Sequence, residues 1–235
     1  MPEKTHVWSG RSQRVPTGCA YNKQMAIELL YFHDPMCSWC WAFRPTFIAL
    51  HAKLPTDMTL RRVVGGLAPD NDQPMPEEMR AKLKGIWQTI QETVPGTRFN
   101  FAFWENCTPR RSTYNACRAV LAAARLSPKH EGPMIEAIQR AYYLDARNPS
   151  NVDTLVDLAA EIGLDRERFS AEISGDAVEA LLREELAFAR SAPVRGFPGL
   201  AVRTEFGLLP VDVDYRDAEP MRRRIEAILR ATTAG

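Results

Sequence analysis

The chain has 235 residues, 45% of them apolar, 25% charged and 9% aromatic, which is ordinary composition for a folded protein with a sizeable core and excludes a disordered chain, a collagen-like chain or a small disulfide scaffold. Thirty basic against twenty-nine acidic side chains leave a net charge of +1, so no global field draws in nucleic acid or an anionic membrane surface. No uninterrupted apolar run approaches the roughly 18 residues needed to span a bilayer. The expected partners therefore include neither nucleic acid nor membrane.

Met1 to Lys23 is polar and irregular, with Gly10, Pro16 and Gly18 and no apolar stretch of the kind a secretion signal carries. It reads as a flexible lead, residues 1–25, on a cytoplasmic protein. Ala26 to Phe32 is a short apolar run rich in strand formers, broken by His33, Asp34 and Pro35. A helical pattern restarts at Cys37 and runs to about Leu54, with Pro45 inside it. Thr59 to Val64 is a second strand closed by Gly65 and Gly66. Strand, helix, strand in this order suggests a parallel unit with a right-handed crossover.

From Pro76 to about Arg190 the pattern becomes helical. The expected helices are Glu77 to Thr93, Thr113 to Leu126, Met134 to Leu144, Val152 to Ile162, Arg166 to Ile173 and Ala177 to Ala189, with Asn151, Asp165 and Asp176 as N-caps. Strand signals return at Gly199 to Thr204 and Phe206 to Val211, and a terminal helix runs from about Glu219 to Ala231. The predicted fold is α/β, with residues 26–75 and 191–235 forming one domain and 76–190 an all-helical insert.

Cys37-Ser38-Trp39-Cys40 carries the chemistry. The motif follows a buried strand and opens a helix, so Cys37 meets the unpaired N–H groups of the first turn and the positive end of the helix dipole, both favouring the thiolate. Two intervening residues let Cys40 reach back, so one sulfur attacks and the other resolves the mixed disulfide. The same spacing is half of a zinc site. Cys107, Cys117, His33, His51 and His130 are too scattered to supply the other half, and no metal is expected. Five cysteines is an odd, sparse count for a disulfide framework.

Tyr31-Phe-His-Asp-Pro-Met-Cys-Ser-Trp-Cys-Trp-Ala-Phe43 resembles the active-site strand–helix junction of the thioredoxin superfamily, and its Asp-Pro-x-Cys-x-x-Cys form resembles the DsbA and FrnE-like branch. Gly196-Phe197-Pro198 resembles the loop that carries the superfamily's cis-proline, and the helical block resembles the domain DsbA-like proteins insert into the thioredoxin fold. The resemblance spans about Ala26 to Ala231. It implies a thiol–disulfide oxidoreductase, as oxidase, reductase or isomerase, with no cofactor beyond a redox-active Cys37–Cys40 disulfide. Its partners would be thiol- or disulfide-containing proteins or peptides, with glutathione as a small-molecule candidate. Pro198 and Phe197 would shape the substrate groove. One departure stands out: the family's buried acid, six positions before the first active-site cysteine, is here Tyr31.

Around this motif, His33 and Asp34 are candidate modulators of Cys37, although His33 reads more plainly as a polar strand-end side chain. Trp39 is expected on the exposed rim with Ser38, both facing substrate, whereas Trp41 and Phe43 are packing residues. Cys107 and Cys117 read as two reduced, buried thiols, with a second disulfide as the alternative. Cys19 lies in the lead, and Arg110, Arg111 and Arg222 to Arg224 are expected on solvated faces. Two rival functions share these features. Kappa-class glutathione transferases and 2-hydroxychromene-2-carboxylate isomerases have a similar split architecture without the cysteine pair, and a zinc-binding or redox-sensing module would use the thiols without catalysis.

Overall fold

The structure is a computed structural model that describes residues 27–233; the expected flexible lead and Cys19 lie outside the described residues. Strand β1 (Glu28–His33) leads into helix α1 (Ser38–His51) and strand β2 (Thr59–Val64). Seven helices follow: α2 (Glu77–Thr93), α3 (Phe103–Asn106), α4 (Tyr114–Leu126), α5 (Glu131–Tyr143), α6 (Val152–Glu161), α7 (Arg166–Ile173) and α8 (Asp176–Ser191). The chain closes with β3 (Gly199–Thr204), β4 (Gly207–Val211) and α9 (Glu219–Thr233). The four strands form one mixed sheet in the order β2-β1-β3-β4. β1 runs parallel to β2 and antiparallel to β3, and β3 runs antiparallel to β4.

Alternation along β1 divides the core, because successive side chains of a strand point to opposite faces. Leu29 and Tyr31 face α1 and α9, where they bury against Phe43, Phe47, Leu50, Met221, Ile225 and Ile228. Leu30 and Phe32 face the other way, onto Ala189 and Ala192 at the end of α8. In α1 the inward residues Cys40, Phe43, Phe47 and Leu50 recur every three or four positions, the spacing of one helical face. Cys40 is therefore placed inward by the same stripe that builds the core.

The helices between β2 and β3 build a second core around Trp87 of α2, which is fully buried, and this core also takes in Met36, Ala42 of α1 and Val64 of β2. Its indole stacks on Phe99 at 4.8 Å and meets Trp104 at 4.8 Å and Tyr142 and Tyr143 at 5.6 Å. Short connections punctuate the block. Gly163, with φ +89°, ends α6 in the left-handed conformation that glycine tolerates best, and the Asp165 carboxylate accepts the Arg168 N–H at 2.8 Å to start α7.

Several expectations change at the element ends. His33 belongs to β1, Gly175 rather than Asp176 is the N-cap of α8, and Asn151 caps α6 without a side-chain bond. The four-residue α3 had no sequence signal, being shorter than two helical turns. Phe206 is 72% exposed at the β3–β4 turn rather than in the strand. Arg110 is not on a solvated face: its guanidinium donates to the Ser150 carbonyl at 2.6 Å and to Asn151 at 2.8 Å. Arg222 pairs with Glu219 and Glu226 within α9. No helix among the described residues is long and apolar enough to cross a membrane.

Because Trp87 is the shared contact of six aromatic rings, Trp87→Ala is expected to cost about 3–5 kcal/mol, read as a lower urea midpoint. Loss of well under 1 kcal/mol would mean the aromatic cluster does not carry the block.

Candidate functional site

Strand register assembles the site. β3 starts at Gly199 opposite Phe32, next to the end of β1. Antiparallel pairing therefore brings the residues just before β3 against those just after β1. The first are Phe197 and Pro198, joined by a cis peptide bond; the second are Asp34 to Cys37. The Cys37 thiol donates to the Phe197 carbonyl at 3.4 Å across 160 residues of sequence.

Cys37 is the N-cap of α1, and the first turn contains no acidic side chain. An anion at this position sits at the positive end of the helix dipole. Cys37 is 5% exposed and Cys40 is fully buried, and the Cys40 thiol is within hydrogen-bonding reach of Cys37. Burial, with the neighbouring Cys37 sulfur adding to it, pushes the Cys40 thiol well above the usual range. Both are free thiols. The two cysteines are thus inequivalent, one beside a loop carbonyl and the other sealed beneath it.

Ser38 and Trp39 depart from expectation. The Ser38 hydroxyl accepts the Trp87 indole N–H at 2.9 Å, which ties it to the helical block. Trp39 is half-buried with its ring edge-on to Tyr215 at 5.1 Å, not free on a rim. Trp41 and Phe43 pack as expected. Trp41 stacks on Tyr143 at 5.7 Å and donates to the Arg98 carbonyl at 3.1 Å, and Phe43 meets Tyr31 at 6.1 Å.

His33 and Asp34 are both fully buried. Burial is the main cause that brings the His33 imidazole down to about 3, with the Arg62 charge adding to it. A neutral ring supplies no positive charge to Cys37, so that part of the expectation fails. Neither ring nitrogen has a hydrogen-bond partner among the described residues, and the ring stacks on Tyr31 at 5.1 Å. The Asp34 carboxylate instead collects donors from three elements: Met36 N–H at 2.8 Å, Leu67 N–H at 2.7 Å, the Thr113 hydroxyl at 2.7 Å and the Cys117 thiol at 3.8 Å. Burial pushes its carboxyl above the usual range, while the bonds from Leu67, Thr113 and Met36 pull it back. It is a latch between the active-site turn, the segment after β2 and the start of α4. The sequence offered no signal for Thr113 or Leu67, since they lie 79 and 33 positions away.

Gly65 is a further residue that the sequence showed only as a strand terminator. A Cβ there would come within 1.8 Å of the Phe197 ring. Phe197 lies over this bare backbone, and its loop forms one wall of a groove of about 540 Å³, lined also by Arg195, Pro210 and Asp212. Cys107 and Cys117 have different partners: the Cys107 thiol, half-buried rather than buried, donates to the Ala146 carbonyl at 3.0 Å, and Cys117 faces Asp34. Among the described residues no three His, Cys, Asp or Glu side chains gather as a metal site.

A dithiol at a helix start, faced by a cis-proline loop on a mixed four-stranded sheet with an inserted helical block, defines the thioredoxin-fold dithiol proteins. Residues 28–214 match the model of the DSBA-like thioredoxin domain, and the chain belongs to that family of thiol–disulfide oxidoreductases. A Nitrosomonas europaea protein considered a candidate protein disulfide isomerase superposes with a TM-score of 0.77 at 27% identity, over 87% of this chain and 98% of its own. The cytosolic disulfide reductase DsbM from Pseudomonas aeruginosa superposes with a TM-score of 0.70 at 26% identity, over 87% of this chain and 99% of its own, and has also been solved with GSH. The ClpXP adapter protein SpxH of Bacillus subtilis is 23% identical over 164 residues, which is 69% of this chain but 54% of that protein's length.

Two outcomes follow. Gly65→Ala is expected to displace the Phe197 ring at a cost of about 1–3 kcal/mol, visible as a lower Tm together with altered thiol-trapping rates at Cys37; unchanged values for both would refute the contact. His33 stays neutral in the folded protein down to about pH 3, whereas the unfolded chain takes up its proton near 6.5. In that window the unfolded state binds more protons, so stability is full above about pH 6.5 and falls as pH drops toward 3. His33→Phe, which keeps a stacked ring, should flatten this fall in Tm; an unchanged slope would show that His33 does not cause it.

Proposed function

We propose that the chain is a dithiol reductase of disulfides, with Cys37 as the attacking sulfur, Cys40 as the resolving sulfur and glutathione as the thiol that returns the pair to its reduced form. The carrying observation is the inequivalence of the two cysteines. Cys37 is bonded to the Phe197 carbonyl and keeps 5% of its surface exposed, while Cys40 is fully buried. This difference supports Cys37 as the sulfur that meets an incoming disulfide. Its thiolate attacks one substrate sulfur, releases the other as a thiolate and leaves a Cys37–substrate mixed disulfide. Cys40 then attacks the Cys37 sulfur, expels the second substrate thiolate and closes the Cys37–Cys40 disulfide. Two glutathione thiols reverse the change, leaving one glutathione disulfide.

The reductive direction is supported by the likeness to DsbM, named as a cytosolic disulfide reductase and solved with GSH. A cytoplasmic setting fits the same direction, because that compartment keeps thiols reduced. Pro198 and Phe197 would shape the substrate groove, with Arg195 and Asp212 on its walls offering one charge of each sign to a peptide.

The test is a thiol-trapped redox titration against glutathione with Cys40→Ser as a companion. The expected potential is near about −270 mV, the reductase end of the range. A value near about −120 mV would make the protein an oxidant instead. Cys40→Ser should accumulate the Cys37 mixed disulfide, and Cys37→Ser should form none. Turnover of a small electrophile with glutathione that survives Cys40→Ser would replace this reading with glutathione transfer.

A further inference from the structure

The reaction above requires Cys40 to become an anion inside the protein, because it attacks as a thiolate. Among the described residues no cation faces it, and the nearby Asp34 charge works against its ionisation. The groups facing Cys40 are few: Tyr31 and, behind it, His33 from β1; the main chain of Asp34; Cys37 from α1; and Tyr215 from the segment before α9. The Asp34 carboxylate is taken up by four donors from other elements. His33 is fully buried and neutral, too weak a base to accept a thiol proton. Tyr215 is half-buried with its ring edge-on to Trp39 and Phe43, and of the two tyrosines it is Tyr31 that comes within hydrogen-bonding reach of the Cys40 sulfur. Glu28, the other acid of β1, is paired with Arg203 at 2.8 Å at the far end of the strand.

Tyr31 remains. Its side chain is 5% exposed, on the face of β1 that meets α1. Its ring is clamped by Phe47 at 4.2 Å on one contact and by His33 at 5.1 Å on another, both near-parallel stacks. The clamp holds the hydroxyl within hydrogen-bonding reach of the Cys40 sulfur. Such a buried hydroxyl keeps its proton and can donate it in a hydrogen bond without adding charge.

We propose that the Tyr31 hydroxyl is a catalytic hydrogen-bond donor to Cys40, holding the sulfur anion as it forms while the Cys37–substrate mixed disulfide is resolved. In that step the Cys40 S–H bond breaks and a Cys40–Cys37 S–S bond forms. The Cys37–substrate S–S bond breaks with its electron pair on the substrate sulfur, which takes up the proton lost by Cys40. Tyr31 stays protonated throughout. The inference rests on the reductase reading for its reaction but concerns only the second half of it.

The experiment is single turnover of a fluorescent peptide disulfide by the reduced full chain, acid-quenched so that mixed disulfide and closed Cys37–Cys40 disulfide are counted separately. Tyr31→Phe keeps the ring between Phe47 and His33 and removes only the hydroxyl, and its Tm serves as a folding control. The expected result is an unchanged rate of mixed-disulfide formation and a resolution rate about tenfold to a hundredfold lower, the loss of one hydrogen bond to an ionised group. Because Tyr31 does not titrate, the slowing should be the same factor across the neutral pH range. Resolution by Tyr31→Phe at the wild-type rate overturns the proposal and leaves the reductase reading standing. Equal slowing of both steps also overturns it, since that is the mark of a displaced strand. If the wild-type chain forms no mixed disulfide, both readings fall. Cys40→Ser supplies the zero of resolution.

Discussion

The site depends on antiparallel pairing between β1 and β3. With Gly199 opposite Phe32, the chain leaving β1 and the chain entering β3 meet at one end of the sheet. Cys37 and Phe197 face each other although 160 residues separate them. A slip of one residue would turn Tyr31 from the α1 face to the α8 face and move the loop carbonyl off the thiol. Register is held by what each face buries. Leu29 and Tyr31 need the aromatic stripe of α1, and Leu30 and Phe32 need the small residues that end α8.

The inserted helices are fastened to this frame at the reactive helix itself. Trp87 bonds Ser38 in the first turn of α1, Trp41 one turn later bonds Arg98 and stacks on Tyr143, and Asp34 joins the preceding turn to α4 through Thr113. The block therefore does more than cover the sheet: three polar contacts and an aromatic stack fix the orientation of the first two turns of α1. The electrostatics around Cys40 is correspondingly spare. It is built from neutral donors and rings, with the one nearby carboxylate engaged elsewhere.

Much of this was legible in the chain. The short apolar run before Cys37, the Cys-x-x-Cys spacing and the Gly-Phe-Pro step before a late strand located both halves of the site, and the strands Thr59–Val64 and Gly199–Thr204 fall where the pattern put them. What stayed hidden were roles set by partners distant in sequence. His33 and Asp34 look alike as polar residues at a strand end, yet one is an uncharged ring in a stack and the other a hub for four donors. Burial decides between those outcomes, and burial comes from elements over thirty residues away. Ser38 and Trp39 read as substrate-facing for the same reason: their neighbours Trp87 and Tyr215 are supplied by segments with no motif of their own.

Gly65 and Phe197 carry a consequence for the shape of the groove. The ring occupies the volume where any side chain at position 65 would begin, so the wall beside Cys37 is set partly by an atom that is missing. A methyl at position 65 would push the phenyl ring aside and reshape that wall. The outline of the groove is written partly in a hydrogen atom at the end of a strand.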